Sequence, residues 1–525
     1  MTDITKYFRL NGINIRSEAA QYLSSLVADK SAKDRKLLLE QVIKHLQRQS
    51  ESSLVITRQE IEIAVKEFAV QDDTSGTEFF WVYDAFSLPV LYYDPEKKHY
   101  THASALNKPP PKLHENAEWK NFSYVDRYEA LFYRALRNPL FMRPAMDRNT
   151  DTEGRFTLHL VEELLSSSNA IYNTVVLGMI SSLQEGKYHL EDPTGAIELD
   201  IGVETSFHSG LFVENVFVIV EGWYDDRVFH ATGLGMPPPE TRTTTQIFFG
   251  DFNFFGGPSQ VSLKASTKLL RLEGMDPDAM FVFLADVWLD KPDVLERMDK
   301  LFKGFSSCPP FCFVLCGDFV CETENLHHGM LLKNGLKDMG SLIQRYSSIL
   351  RKSRFVFVPG PMDIGGNGMT PRPRLPKNLT VDFEKTIPNA VFTSNPCRIQ
   401  YCTKEIVVMR EDILTKMCRT LIKDPPSHGK ETRFKQLSAN LAKTILAQGH
   451  LCPLPAHILP VYWSYDHTLR LTALPDLVVI ADIQEPFAEK YAECFVANPS
   501  SFPRHKYQFH VYMPCRGTIE LSQID

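Results

Sequence analysis

Three carboxylates follow apolar runs that have the length and composition of buried strands. Asp286, Asp318 and Asp363 each come at or shortly after the end of such a run. Carboxylates delivered by the ends of neighbouring strands are how binuclear hydrolases hold two divalent cations for attack on a phosphate ester. The sequence therefore contains the frame of a two-metal site.

The positions that should complete this site carry side chains of the wrong chemistry. Hard divalent cations prefer oxygen or imidazole ligands, and an indole, a prolyl ring or a thioether offers them little. The unsuitable residues are Trp288, Cys321, Pro361 and Met362. The remaining potential ligands are Asp286, Asp318 and His450, with Asp482 as a conceivable oxygen donor. We expect this set to be too small for two cations.

The order of these motifs resembles the calcineurin-type metallophosphoesterases, whose motifs read D-x-H, G-D-x-x-D, G-N-H-D/E, a lone His and G-H-x-H. They fall here at 286–288, 317–321, 360–363, His450 and 481–484. In the last motif, Asp482 and Gln484 occupy the positions of the two histidines, so both imidazoles are missing. The resemblance implies a vestigial site with no catalytic residue, metal or cofactor, made of Asp286, Trp288, Asp318, Cys321, Pro361, Met362, His450, Asp482 and Gln484.

A second resemblance lies upstream. Residues 187–200, 217–222 and 235–240 are similar to the oligonucleotide-binding (OB) barrel of the B subunits of eukaryotic replicative DNA polymerases, which join such a barrel to a degenerate phosphoesterase. Within that family, the length and the N-terminal helices resemble the epsilon branch, whose N-terminal module is similar to the lid of AAA+ ATPases. The resemblance covers nearly the whole chain.

This resemblance implies a noncatalytic accessory subunit that acts in chromosomal DNA replication in the nucleus. The OB and phosphoesterase domains would hold the zinc-bearing C-terminal region of the polymerase catalytic subunit. The N-terminal helices would face the replicative helicase through the GINS complex, and the histone-fold small subunits would be further partners. Two alternatives stay open: a phosphodiesterase with altered ligands that uses Asp286, Asp318, His450 and Asp482, and a single-strand nucleic-acid-binding OB protein.

Composition limits the function classes. The 525 residues carry a net charge of −7, which argues against a chain whose main task is to grip a nucleic-acid backbone, so DNA binding should be weak at most. No apolar run approaches the length of a membrane span, and no membrane association is expected. The ten cysteines all follow residue 307 and none has C-x-x-C spacing, which favours thiols in a reducing compartment over a metal site.

The patterns predict a multidomain α+β protein. Helical stripes at 37–46 and 61–68 indicate an N-terminal helical module. Five short alternating strands between 174 and 231 fit an OB-type β-barrel, and an acidic surface favours a structural role for it. Strand–helix alternation follows, with helices expected at 292–302, 336–351 and 410–421. The predicted domains are a helical module (1–75), an extended linker or strap (76–165), the OB fold (166–245) and an inactive calcineurin-like phosphoesterase sandwich (246–525).

The retained site residues also have a structural interpretation, which we favour because a metal needs more ligands. Asp286 and Asp318 would cap backbone N–H groups, and His450 would hydrogen-bond to the backbone. Trp288 and Met362 would fill the volume that metal and water once held. The basic, proline-rich segment 370–377 is predicted to be a solvated loop rather than a DNA contact or an import signal.

Overall fold

The computed structural model describes residues 7–8, 16–27, 39, 78–106, 108–141, 156–322, 326–366, 368–425 and 432–524. Contacts divide the chain into two compact units, Met1–Phe79 and Phe80–Asp525. In the first unit, helix α1 (Ser17–Val27) buries Ala19, Ala20 and Leu23 on one face. The predicted helical stripes lie outside the described residues, except for Leu39, which is helical.

The second unit begins with a strand, a hairpin and a long helix. These elements are β1 (Phe80–Asp84), β2 (Leu91–Asp94), β3 (His99–His102) and α2 (Glu118–Arg137). Helix α2 buries Tyr128, Leu131 and Ala135 against the barrel residues Leu177 and Phe217. The apolar stripe predicts only residues 127–137 as helix, because the first turns of α2 are mostly polar and lack the buried face.

A closed barrel follows, as predicted. Its sheet has the order β4-β5-β6-β7-β9-β8, and a pairing between β5 and β8 closes it. Helix α3 (Val161–Leu165) packs Val161 and Leu164 into the barrel core. The strands are β4 (Leu158–His159), β5 (Ile171–Gln184), β6 (Lys187–Asp192), β7 (Gly195–Phe207), β8 (Phe217–Asp225) and β9 (Val228–Gly235).

Two six-stranded sheets form the remainder of this unit. Their orders are β1-β14-β15-β16-β18-β17 and β13-β12-β11-β10-β19-β20. The strands are β10 (Phe281–Ala285), β11 (Cys312–Cys316), β12 (Arg354–Val358), β13 (Ala390–Phe392), β14 (Cys397–Tyr401), β15 (Lys404–Arg410), β16 (Leu477–Ala481), β17 (Phe487–Tyr491), β18 (Cys494–Asn498), β19 (Gln508–Met513) and β20 (Thr518–Gln523). Rings from the two sheets meet in the interior, where the centroids of Phe281 and Tyr401 are 5.3 Å apart.

Helices pack against the two sheets of this α/β sandwich. They are α4 (Arg242–Phe249), α5 (Thr267–Met275), α6 (Pro292–Phe305), α7 (His328–Gln344), α8 (Ser347–Lys352), α9 (Lys377–Thr386), α10 (Ile413–Arg419) and α11 (Arg433–Gln448). The described residues of the second unit thus form an α+β fold, with a closed OB-type barrel and an α/β sandwich, as the sequence predicts. Among the described residues, no helix has both the length and the apolar composition needed to cross a bilayer.

Parallel pairing determines where the polar residues meet. Strands β10, β11 and β12 are parallel and in register, with Ala285 beside Cys316 and Cys316 beside Val358. In the other sheet β15 and β16 are also parallel, and Arg410 pairs with Ala481. The carboxyl ends of parallel strands share one edge of a sheet, so the loops after these strands converge.

The close approach of β8 and β9 requires a glycine. A Cβ at Gly222 would overlap the carbonyl oxygen of His230, whereas a Cβ at Gly202 in β7 would meet only Thr205 Oγ1, at 3.8 Å. We expect Gly222→Ala to lower the free energy of unfolding by at least about 2 kcal/mol, because backbone must move to accept it. Gly202→Ala should change it by less than about 0.5 kcal/mol. Urea unfolding of both variants measures the difference, and equal effects would contradict the predicted clash.

Candidate functional site

A buried ion pair joins the carboxyl ends of β10 and β15. Arg410 Nη2 lies 2.9 Å and Nε lies 3.2 Å from Asp286 Oδ1, and both residues are almost fully buried. Asp286 adopts a φ of 56°, in the left-handed region that ends the strand and that aspartate tolerates better than most residues. The first carboxylate of the predicted metal site is therefore already paired with a cation.

The same guanidinium contacts the ends of four strands. Arg410 Nε lies 2.6 Å from the carbonyl oxygen of Gly317, and Nη1 lies 2.7 Å from Asp412 Oδ1 and 3.2 Å from the carbonyl oxygen of Ala481. Nη2 also lies 3.7 Å from Asp318 Oδ2. Burial alone would lower the pKa of Arg410, but the neighbouring carboxylates outweigh it and hold the pKa well above its ordinary value. The guanidinium remains charged inside the sandwich.

Asp318 and Asp363 hold the adjoining loops through backbone hydrogen bonds. Asp318 Oδ1 accepts the N–H of Met362 at 2.8 Å. The two oxygens of Asp363 accept the N–H groups of Phe319 at 2.9 Å and of Gly360 at 2.8 Å. Burial raises the pKa of Asp318 to about 7 and that of Asp363 to about 6. These carboxylates are thus largely committed to the loops that carry them.

Glycine makes this packing of loops possible. A Cβ on Gly317 would overlap the carboxylate of Asp363, and a Cβ on Gly360 would overlap Asp318 Oδ1. Gly317 and Gly360, which precede Asp318 and Pro361, therefore allow the two loops to approach each other closely. This role of the glycines does not involve a metal.

His450 belongs to a different network. Its Nε2 lies 3.2 Å from Asp466 Oδ1, and its Nδ1 accepts the N–H of Cys452 at 3.0 Å, which places the ring proton on Nε2. Asp466 also pairs with Arg127 of α2 and with Arg470. In the part of the chain that the structure describes, no hydrogen bond or ion pair joins His450 to Asp286 or Asp318.

Asp482 caps helix α10. Its Oδ2 accepts the N–H of Leu414 at 2.9 Å, and its Oδ1 accepts the N–H of Gln484 at 3.0 Å and the hydroxyl of Thr415 at 3.3 Å. Gln484 Nε2 donates to Thr415 Oγ1 at 3.0 Å. Burial raises the pKa of Asp482 to about 7, and the charge of Asp412 acts in the same direction. The last predicted motif thus forms a helix cap.

The residues that replace metal ligands lie at the surface or near it. The prediction that Met362 fills the former metal volume is wrong, because its side chain is 54% exposed. Its backbone N–H is directed to Asp318, which leaves the thioether outside. Trp288 is half-buried, with the Arg504 guanidinium 5.3 Å from its ring centroid. Cys321 is exposed, and Pro361 is half-buried.

The segment 370–377 is also not the solvated loop that its composition predicts. Thr370 and Arg372 are buried, and Arg372 Nη2 lies 2.5 Å from Glu411 Oε2. Arginine at 372 is therefore a partner of a buried carboxylate, next to the residue that pairs with Asp286. Only part of the segment, including Pro373 and Arg374, is exposed.

This donor set does not fit a pair of divalent cations. Asp286 is bound to Arg410, Asp482 to backbone N–H groups and His450 to Asp466. Within the described ranges, no group of three or more His, Cys, Asp or Glu side chains could hold a metal ion. The clustered cysteines differ in burial, since Cys312 and Cys316 are buried in β11 while Cys308 and Cys321 are exposed.

Arg410 is the residue that the sequence analysis missed. The pattern predicts 410–421 as a helix, but Arg410 is the last residue of β15 and α10 begins at Ile413. The available signal was a basic residue directly after the apolar run 406–409, which matches the position of Asp286 after its own run. One acidic residue after β10 and one basic residue at the end of β15 predict an ion pair only if the two sheets are known to face each other.

Removal of Arg410 should be costly. Arg410→Ala leaves the buried Asp286 and the half-buried Asp318 without their cation, and we expect the free energy of unfolding to fall by about 3–5 kcal/mol. The matched control is Arg516→Ala, which removes an exposed 2.7 Å pair with Asp278 and should cost less than about 1 kcal/mol. Urea unfolding measures both, and a loss at Arg410 no larger than the control would show that the buried pair does not stabilise the strand ends.

The His450 network predicts a pH dependence of stability. Burial lowers the pKa of His450 to about 4, against about 6.5 in an unfolded chain. Between these values the unfolded state binds a proton that the folded state does not, so stability is complete above pH 6.5 and decreases as the pH falls toward 4. We expect His450 to account for about 2 kcal/mol of the decrease between pH 7 and pH 5.

The measurement is the free energy of unfolding of wild type and His450→Asn across this pH range. The variant should show the shallower decrease, whatever its stability at pH 7. Part of the decrease should persist, because burial also lowers the pKa of His467 and His510 to about 4. Replacement of the exposed His114 by Asn is the control and should leave the slope unchanged. An unchanged slope in His450→Asn would contradict the assignment.

Models of known protein families match three parts of the chain. Family models match residues 281–489 (the B subunit of DNA polymerase alpha/epsilon), 117–238 (DNA polymerase epsilon subunit 2-like, OB-fold domain) and 2–68 (DNA polymerases epsilon N terminal). The OB-fold match begins at the start of α2. A solved structure described as a novel archaeal phosphodiesterase has 11% identity and a TM-score of 0.25, and covers 47% of this chain and 99% of its own.

Similar proteins cover almost the full length. DNA polymerase epsilon subunit 2 of Homo sapiens is 43% identical, over 98% of this chain and 97% of that protein. The Drosophila melanogaster protein of the same name is 35% identical, over 99% and 97% respectively. The probable DNA polymerase epsilon subunit 2 of Caenorhabditis elegans is 32% identical, over 99% and 94%. With its matching barrel and sandwich, the chain belongs to the DNA polymerase epsilon subunit 2 family.

Proposed function

We propose that this chain is a noncatalytic subunit of DNA polymerase epsilon that scaffolds the C-terminal region of the catalytic subunit in the nucleus. Family membership supports the assignment to the polymerase. The single observation that supports a noncatalytic role is the Arg410 guanidinium, which lies between the carboxylates of Asp286 and Asp318. In this proposal, Arg410 stabilises the sandwich, and the sandwich binds other chains without catalysing hydrolysis.

The chemistry of the guanidinium carries this argument. Metal-dependent hydrolysis of a phosphodiester requires a Lewis acid that lowers the pKa of a bound water and generates the nucleophile. A guanidinium binds only as a hydrogen-bond donor and stays protonated, so it neither activates water in this way nor accepts its proton. Arg410 balances the carboxylate charge but cannot replace the reactivity of a cation.

A phosphodiesterase with altered ligands is disfavoured by geometry. It needs Asp286, Asp318, His450 and Asp482 around one reaction centre. The hydrogen bonds distribute them among an arginine cluster, a histidine–aspartate network and a helix cap. Convergence would require all three networks to break.

A single-strand-binding barrel has one observation in its favour. Tyr172, Trp223 and His230 stack on the barrel, with ring centroids 6.0 Å and 4.0 Å apart. Aromatic platforms bind bases when basic side chains also neutralise the phosphates. Here His230 pairs with a carboxylate, since Asp200 Oδ2 lies 2.8 Å from His230 Nδ1. A carboxylate beside the platform repels phosphate, so we retain the scaffold.

The two compact units of the chain suggest how the proposed partners are divided between them. The N-terminal family model and the compact unit Met1–Phe79 end near the same point, which supports a separable module. In our proposal this module faces the replicative helicase through the GINS complex. The sandwich and barrel hold the catalytic subunit, and the histone-fold small subunits complete the assembly.

Co-expression of the full chain with the polymerase catalytic subunit tests this proposal. We expect the two chains to elute together and the complex to retain added GINS. With manganese present, the isolated chain should hydrolyse bis(p-nitrophenyl) phosphate no faster than buffer does, and Asp318→Asn should change neither result. This substitution keeps an oxygen that can accept the N–H of Met362. Hydrolysis that is lost on Asp318→Asn would establish an enzyme, and failure to co-elute would overturn the scaffold.

A further inference from the structure

An open groove lies between the β2–β3 hairpin and the start of α2, within the second unit. We call it the hairpin groove. Its cavity has a volume of about 550 Å³, and the aromatic side chains in its lining are Tyr92, Tyr93, Trp119 and Phe122. Phe122 is 55% exposed, and its ring meets that of Trp119 edge-on at a centroid distance of 6.1 Å. The Phe122 ring is thus presented to solvent beside three half-buried aromatic rings.

The exposed rings are not part of the helix face that packs on the barrel. Trp119 and Phe122 precede Tyr128 and Leu131 by about two and a half helical turns, which places them on the opposite side of α2. The core of the barrel therefore gives no reason for aromatic side chains at these positions. An exposed aromatic cluster of this kind is typical of a binding surface.

The charged part of the lining is mostly negative. Asp94, Asp126 and Glu129 line the groove, and Lys108 is the one cation among the described residues of its lining. Two neighbouring cations offset part of this charge, since Arg470 Nη2 lies 3.5 Å from Asp126 Oδ2 and Lys97 Nζ lies 4.0 Å from Asp94 Oδ2, which leaves Glu129 as the carboxylate open to a ligand. Burial, followed by the charge of Asp126, raises the pKa of Glu129. The groove therefore favours a positively charged ligand.

The chain itself shows which chemistry this surface accepts. The ammonium of Lys108 lies 3.4 Å from the centroid of Tyr92, a cation–π contact, and Pro109 lines the groove beside it. They begin the run Lys-Pro-Pro-Pro-Lys at 108–112. The run is anchored further on, where the hydroxyl of Tyr465 donates to the carbonyl oxygen of Pro111 and that of Ser464 to the carbonyl oxygen of Lys112. The groove is thus lined in part by the first two residues of an anchored, basic proline run.

We propose that the hairpin groove is a docking site for an extended, proline-containing segment of a partner protein that carries arginine or lysine. Its cationic side chains would contact the Trp119 and Tyr93 rings and the carboxylates of Asp94 and Glu129. Proline keeps such a segment extended before binding and lowers the entropic cost of its ordering. A nucleic-acid strand fits poorly, because the carboxylates repel its phosphates. This inference goes beyond the scaffold function and does not depend on it.

The test uses the full chain and two short fluorescein-labelled peptides, one alternating arginine with proline and one with glutamine in place of arginine. Fluorescence polarisation should show binding of the arginine peptide that weakens as salt is added, and at least about tenfold weaker binding of the glutamine peptide. Equal binding of the two peptides would overturn the proposal.

Two variants locate the site. Trp119→Ala should weaken binding of the arginine peptide about fivefold, and Glu129→Gln about threefold, since both side chains are at least partly exposed. Glu185→Gln, in the exposed turn between β5 and β6, is the matched control and should leave the affinity unchanged. Affinity that neither groove variant changes would overturn the proposal. So would sedimentation that shows a self-associated chain made monomeric by Trp119→Ala, because a second copy would then be the occupant.

Discussion

The ion pair between Arg410 and Asp286 is the interaction on which the architecture of the sandwich depends. A charged guanidinium inside a protein costs several kcal/mol in lost hydration, and only well-placed partners compensate for that cost. Arg410 has them, because carboxylates and carbonyl oxygens at the ends of four strands receive its donors. The two sheets therefore meet at one positive centre, and the loops that carry Asp318 and Asp363 are arranged around it.

The same centre accounts for the proposed noncatalytic role of a site whose carboxylates are arranged at strand ends. The carboxylates of a two-metal site repel one another unless a cation lies among them, so loss of the metal ligands alone would leave a buried negative cluster. An arginine supplies a permanent cation that needs no supply of metal and no imidazole ligands. In the proposed scaffold, these strand ends are the rigid interior beneath a surface that binds other chains.

The sequence predicts the strands and the positions of Asp286, Asp318 and Asp363, because short apolar runs that end in a polar residue are a local pattern. It does not predict Arg410, because the meeting of two sheets is a tertiary event and a basic residue after β15 resembles the start of a helix. The prediction that Met362 is buried is wrong for a related reason. The direction of its backbone N–H, which the sequence does not show, determines whether its side chain lies inside or outside. The first turns of α2 are missed because their aromatic side chains do not follow the buried stripe.

The edge strand β1 has a consequence for how the chain is made. Phe80 pairs with Tyr401, and Asp84 with Cys397, so this edge of the sheet joins segments that are synthesised far apart in time. The barrel is encoded between β1 and β14. It can therefore fold on the ribosome before β14 is synthesised and pairs with β1. Until β14 emerges, the backbone N–H and C=O groups of β1 are an open template for strands of other nascent chains. During synthesis, a chaperone or the β2–β3 hairpin that covered β1 would prevent this strand from pairing with other chains.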